Sequence, residues 1–392
     1  MSLLTSWSTF WTGFRPEPPA SRHFGKSACT AFIRSSIAGL LLLLSPSVLA
    51  TTPVSFEELH ELRGLSITAS SADGRVVAGT GLIDCCSSQA FRWDGTGPVL
   101  YLETPPGQVE TYSRNISADG RVVLVEARAD IAARTGYRWL QDGTLSAVTP
   151  AGNPHTVFAI SADGRQVAGS TFRRDDPDQQ TPFVWSPQEG YRTLRIPAGT
   201  LGADPAYFDD DGHTLHGVGY IVDMASSHGD SRAMRPIAMR WRDGEPEPVA
   251  SRNRLVAYLS GEGRQLSQAE ADALDLSMPY PDLPGGEPMR VNWVGVDNEI
   301  ILGQGTLSHA WLIRTRANGT CRLTDWLDAL GVAYPRDARL QGRLASRDGR
   351  TLFGESVGAE DAEPSTPWRL VADVPLGRIR VSSAPQCGAQ LP

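Results

Sequence analysis

One phrase recurs six times along this chain: a small residue or two, Asp-Gly or a near variant, then a β-rich run closing on Gly. The fullest copies are Ser71-Ala72-Asp73-Gly74-Arg75-Val76-Val77-Ala78-Gly79 and Ser161-Ala162-Asp163-Gly164-Arg165-Gln166-Val167-Ala168-Gly169, with Ser117-Ala118-Asp119-Gly120-Arg121-Val122-Val123 between them. Looser copies begin at Asp211-Gly212, Asp297-Asn298 and Asp348-Gly349. The aspartates are 46, 44, 48, 86 and 51 residues apart, so the long interval holds about two periods. A period in the mid-forties fits a four-stranded propeller blade or a two-helix solenoid unit.

The pattern inside each unit separates those two. A second signal follows each phrase: Ala90-Phe91-Arg92-Trp93, Gly136-Tyr137-Arg138-Trp139, Pro182-Phe183-Val184-Trp185, Ala238-Met239-Arg240-Trp241, Ala310-Trp311-Leu312-Ile313 and Pro367-Trp368-Arg369-Leu370. Bulky residues alternate there with period two, as in strands. A turn such as Gln141-Asp142-Gly143 follows, then another short apolar run. Each unit therefore reads strand, Asp-Gly turn, strand, loop, strand, turn, strand, which favours radial β-repetition. Asp suits the third position of a type I turn, and Gly the positive φ after it. Asp73, Gly74, Asp119, Gly120, Asp163, Gly164, Asp211, Gly212, Asp348 and Gly349 thus read as structural turn residues. The small residue closing each run (Gly79, Gly169, Gly217, Gly303, Gly354) suits close backbone approach at the end of the second strand.

The expected fold is all-β: a β-propeller of six blades, with one or two short helices inserted in the later blades. Seven blades is the alternative, the extra one falling in residues 250–290. Val54–Leu62 resembles the last strand of a unit that has no earlier strands. It is expected to complete the final blade and close the ring.

The first fifty residues differ in kind. Arg15, Arg22, Lys26 and Arg34 precede the apolar run Ile37–Leu44, and Ser45-Pro46-Ser47-Val48-Leu49-Ala50 supplies a cleavage context. This reads as a secretory signal peptide over residues 1–50, too short to span a membrane. The propeller then covers 51–375, with a helical and loop insertion at 251–290 and a C-terminal tail at 376–392. The whole chain carries a formal charge of −8. Such a surface disfavours nucleic acid and anionic membrane as partners. The expected location is the periplasm or the extracellular space, as a monomer with no membrane span once the signal is cut.

Four cysteines lie beyond the leader: Cys85, Cys86, Cys321 and Cys387. Export permits disulfides. A Cys321–Cys387 bridge would pin the tail to the ring, whereas adjacent Cys85 and Cys86 join only through a strained link. No metal and no cofactor are expected. His213 and His216, three apart on a strand, face opposite sides. Asp209-Asp210 and the loop Arg173–Asp178 read as solvated acids. Ser267-Gln268-Ala269-Glu270 is a capping box opening a short helix to about Leu276, and Leu323–Gly331 reads as a second one with a Gly stop. The chain has no H-E-x-x-H or P-loop phrase, and no catalytic residue is assigned.

The order L-x-x-L-x-G, I-S-A-D-G-x-V-V-A-G, A-F-x-W resembles the bacterial extracellular repeats of the HAF family over roughly residues 56–372. The hairpin phrase is shared loosely with TolB-type propellers. The HAF resemblance implies an exported, propeller-like bacterial protein and carries no catalytic residues. Three functions then compete: a non-catalytic binding module for a protein or surface glycan, a polysaccharide hydrolase or lyase with its site at the channel mouth, and a purely structural envelope protein.

Overall fold

A computed structural model describes residues 54–83, 87–130, 133–150, 155–172, 180–209, 211–222, 234–248, 264–265, 289–295, 299–305, 308–358 and 364–381. They form a six-bladed β-propeller of six antiparallel sheets. Blade 1 runs Leu65–Ser70, Val77–Leu82, Ser88–Trp93 and Leu100–Tyr101, from innermost strand to outermost. Blade 2 is Glu110–Ile116, Val122–Arg128, Arg134–Leu140 and Leu145–Ala147, and blade 3 is His155–Ile160, Val167–Phe172, Gln180–Ser186 and Gly190–Thr193. Blade 4 is Thr200–Phe208, Thr214–Val222, Met234–Arg242 and Glu245–Pro248. Blade 5 is Met289–Val294, Ile300–Gly305, Trp311–Thr315 and Gly319–Arg322, and Arg264–Gln265 adds a fifth strand on its inner edge. Those two residues come from the insertion where a seventh blade was the alternative; among the described residues there is no seventh sheet.

Blade 6 supplies only Arg339–Ala345, Thr351–Val357 and Thr366–Ala372 in sequence order. Its outer strand is Val54–Glu58, paired antiparallel with Thr366–Ala372 from Val54↔Ala372 to Glu58↔Trp368. The first strand therefore closes the ring on the last blade, which leaves no open sheet at the seam. The chain then turns through His60–Leu62, buries Leu59 and Leu62, and enters blade 1.

Every inner strand carries a register shift at the same place: Ile67/Ala69, Ser113/Asn115, Val157/Ala159, Pro205/Tyr207, Val291/Trp293 and Gly342/Leu344. A bulge bends the strand and raises its local twist. Opposite the bulge lie Gly79, Gly169, Gly217, Gly303 and Gly354. A Cβ at any of them would fall 2.1–2.3 Å from an inner-strand carbonyl oxygen. These glycines are needed for close approach, as expected, but they sit within the second strand and not at its end.

The apolar side chains pack in clusters shared by neighbouring blades. The largest joins blades 5, 6 and 1 through Trp293, Trp368, Phe353, Phe91, Leu62 and Trp326. Trp326 belongs to the short α-helix Leu323–Ala329, which ends before Gly331 at φ +71°. That helix was expected; the one proposed to start at Ser267 lies outside the described residues. Past Pro375 the chain does not leave the ring at once. Leu376 is buried, Ala317 donates to the Gly377 carbonyl, and Asn318 Nδ2 donates to the Ile379 carbonyl. Residues 376–381 thereby dock on the outer hairpin of blade 5.

Candidate functional site

The Asp-Gly phrases occupy the turns between first and second strands. In blade 1 the Gly74 amide donates to the Ser71 carbonyl, closing a four-residue turn with Asp73 third. Ser71 Oγ donates to Asp73 Oδ1 at 2.7 Å, and the same oxygen accepts from the Arg75 amide. Ser71 Oγ also accepts from the Val76 amide. Blades 2, 3 and 6 repeat this around Asp119, Asp163 and Asp348. Burial of Asp163 raises its carboxyl, but the Ser161 hydroxyl and Arg165 amide outweigh this and hold it below the ordinary value. Gly74, Gly120, Gly164, Gly212 and Gly349 all hold positive φ. Asp297 and Asn298 of the fifth copy lie outside the described residues.

The turns also join the blades. Ala72 donates its amide to the Ala118 carbonyl, Ala118 to Ala162, and Asp348 to Ala72. A third-strand arginine adds a second link: Arg92 Nε donates to the Gly120 carbonyl at 3.0 Å, and Arg138 Nε to Gly164 at 2.9 Å. Blade 3 has Val184 at this position. There Gln166, where blades 1 and 2 have Val76 and Val122, reaches the Gly212 carbonyl at 2.7 Å instead. Beside this position lies a cleft of about 450 Å³ between blades 3 and 4. Its floor is Val184, Leu194, Phe208, Leu215 and Trp241, and its rim carries Asp163, Arg165, Gln188, Glu189, Arg192, His213 and Asp243.

A second departure from the repeat lies at the turn end of the ring. In blade 4 Asp209 replaces the turn serine, and two carboxylates cannot form the Ser–Asp hydrogen bond. Asp211 alone caps this turn, accepting from the His213 and Thr214 amides, which lower its pKa. Asp209 is released to face His216, whose Nε2 lies 2.9 Å from Asp209 Oδ1. The His216 ring stacks on Tyr207 with centroids 4.7 Å apart. Burial pulls its pKa below the usual histidine value, with Asp209 opposing and the Arg240 charge assisting. Arg347 of blade 6 replaces the turn alanine; burial lowers its pKa while the charge of Asp209 raises it. Side chains of two non-adjacent blades thus act on each other at the channel mouth. Sequence reading passed over this trio because Asp209 sat in an acidic run, and only the ring brings blades 4 and 6 together. His213 stays in the turn and does not meet His216.

A third cluster staples blade 2. Glu126 is fully buried, with Arg114 Nη2 and Arg128 Nε each 2.9 Å from its Oε1 and Arg134 within 3.9 Å. Blade 6 repeats it with Arg343 on Glu355, whose other oxygen accepts from Ser66 of blade 1. Stripping one partner from a buried carboxylate held by arginine leaves an uncompensated charge and is strongly destabilising.

Among the described residues no group of three or more His, Cys, Asp or Glu is placed to hold a metal. Cys321 is buried and disulfide-bonded. Cys387, Cys85 and Cys86 lie outside the described residues, as do residues 173–178. No helix among the described residues is long and apolar enough to cross a membrane.

The fold and these junctions define a propeller whose blades are joined by turns and whose clefts open where the repeat is broken. No family model matches the chain, and no curated protein matches it. Solved propellers do. The β-propeller domain of the Trilobed protease from Pyrococcus furiosus is 12% identical, over 75% of this chain and 79% of that one, with a TM-score of 0.38. The putative TolB from Agrobacterium tumefaciens is 10% identical over 82% and 98%, at 0.38. An oligogalacturonate lyase in complex with manganese is 12% identical over 81% and 90%, at 0.44.

Proposed function

We propose that this chain is an exported, non-catalytic β-propeller of the HAF-repeat kind that binds a protein or a surface glycan outside the cytoplasm. Residues 1–50 act as the cleaved secretory leader in this reading, and residues 51–392 work as a monomer. The observation that carries it is the cleft between blades 3 and 4. It is a concave, partly apolar site edged with polar groups, among them Asp163 held by its turn, the usual build of a ligand site. Residues that obey the repeat are consumed in joining blades, so recognition falls to those that break it. Immobilised residues 51–392 should retain a specific protein or glycan from envelope extract, while a heat-unfolded control does not. An extract that yields no specific partner sinks the reading.

The Asp209–His216 pair with Arg347 favours a second reading, a polysaccharide-cleaving enzyme acting at the channel mouth. A histidine kept neutral beside a carboxylate is a reasonable proton acceptor. New reducing ends or unsaturated products from bacterial polysaccharide, lost in Asp209→Asn, would favour it over the first. Activity retained in both Asp209→Asn and His216→Ala removes it.

A further inference from the structure

We infer that the cleft between blades 3 and 4 is a site for a short neutral saccharide, opened by a coupled pair of substitutions in the repeat. This rests on the binding reading above and gives its site a ligand class.

The repeat supplies the internal control. Blades 1 and 2 pair a valine after the turn (Val76, Val122) with an arginine on the third strand (Arg92, Arg138). The arginine crosses to the next blade and fills the gap between them. The valine presses on the next turn: a Cβ on Gly120 would lie 2.7 Å from Val76 Cβ, and one on Gly164 2.8 Å from Val122 Cγ2. Blade 3 inverts both positions, with Gln166 and Val184. The hydrogen bond to the next glycine survives through Gln166, so the junction holds. The packing does not: the nearest atom to a Cβ on Gly212 is Gln166 Nε2, at 3.4 Å. The junction has exchanged a filling side chain for a thin one while keeping its link. An arginine loss alone would read as decay of the repeat. The compensating glutamine makes it a built opening.

The lining selects the ligand. The rim comes from hairpin turns of the two blades and, at Arg192, from the outer strand of blade 3, and it meets a ligand with charged and amide side chains. Asp163, Glu189 and Asp243 stand against Arg165 and Arg192, so neither sign of charge dominates. Fixed carboxylates, guanidinium groups and amides suit the vicinal hydroxyls of a sugar, and the apolar floor suits the C–H face of its ring. Arg192 already spans the mouth, since a Cβ on Gly244 of the opposite hairpin would lie against its guanidinium. Glu189 holds the root of this arm, 3.7 Å from Arg192 Nε. The volume of about 450 Å³ falls in the ~300–1,000 Å³ range of small-ligand sites.

The test uses residues 51–392 and a panel of neutral and N-acetylated hexose oligomers of two to four units. Saturation-transfer NMR finds the binder, and calorimetry measures it. The variant Gln166→Val with Val184→Arg rebuilds the blade 1 and 2 junction, so its melting temperature should match or exceed the parent. Its affinity for the selected oligomer should fall at least tenfold. Glu189→Ala with Asp243→Ala, which leaves the floor intact, should weaken binding in the same direction. No saturation transfer from any neutral oligomer, or affinity unchanged in the filled variant, overturns the assignment, as does binding confined to uronic-acid oligomers. An envelope partner retained equally by parent and filled variant would keep the binding function and remove this site from it.

Discussion

At Gly120 two separate demands fall on one atom. Its φ of +72° lies in the left-handed region, and a Cβ there would come within 2.7 Å of Val76 of the preceding blade. Gly143 shares the positive φ but has nothing within 4 Å. Gly120→Ala should therefore cost about 2–4 kcal/mol, backbone strain and overpacking together. Gly143→Ala should cost only the strain, about 1–2 kcal/mol. Urea melts of both measure the difference, and equal losses would mean the contact with Val76 is soft. The turn aspartates were legible in the sequence because their chemistry is local, within five residues of the chain. Asp209 was not, because its partner His216 and its neighbour Arg347 are set by strand register and ring position. His216 gives a pH prediction. Its folded pKa is depressed, so the unfolded chain binds the proton more tightly and stability declines as pH falls below the free value of about 6.5. Above that value its contribution is complete. Between pH 7.5 and 5 the melting temperature of the parent should drop further than that of His216→Gln; parallel curves would show that His216 does not couple to folding.

Each element here is marginal alone and is held by its neighbours. The outer strand of blade 1 is two residues long, and that of blade 2 three. What fixes the blades is the link from one to the next, and the arginine staples of blades 1 and 2 are one form of it. Arg138 donates from a half-buried position to the Gly164 carbonyl and lies over the Trp185 ring, 5.4 Å from its centroid. Arg138→Met keeps much of the stem but leaves that carbonyl without its charged donor, at a cost of about 1.5–3 kcal/mol. Arg165, exposed and 3.9 Å from Asp163, should change stability by less than about 0.5 kcal/mol on the same substitution. Chemical denaturation of both variants checks this, and equal effects would reduce the staple to a surface contact. The alternation of each strand was readable because a half-buried sheet demands it. The bulge in every inner strand was not, although Gly79 and its counterparts marked the spot: a glycine shows that something approaches, but not which carbonyl.

For the whole molecule, the seam of the ring and the tail are the two places where distant sequence must meet. The seam was foreseeable, since a unit lacking one strand and a strand lacking a unit complete each other. The docking of residues 376–381 was not, because a 3-10 turn and a few side-chain bonds leave no periodic trace. That docking returns the chain to the hairpin bearing Cys321, which is buried and disulfide-bonded. We propose Cys387 as its partner, six residues beyond Val381. The link would close a loop through the whole of blade 6 and secure the blade that also holds the first strand. Peptide mapping without reduction should recover Cys321 joined to Cys387. Cys387→Ser should lower stability by about 2–5 kcal/mol, the usual cost of removing such a bridge. Reductant should then have little further effect on the variant, while it lowers the parent to the same level. Cys321 recovered in linkage with Cys85 or Cys86 would move the clasp from the tail to blade 1 and overturn the pairing.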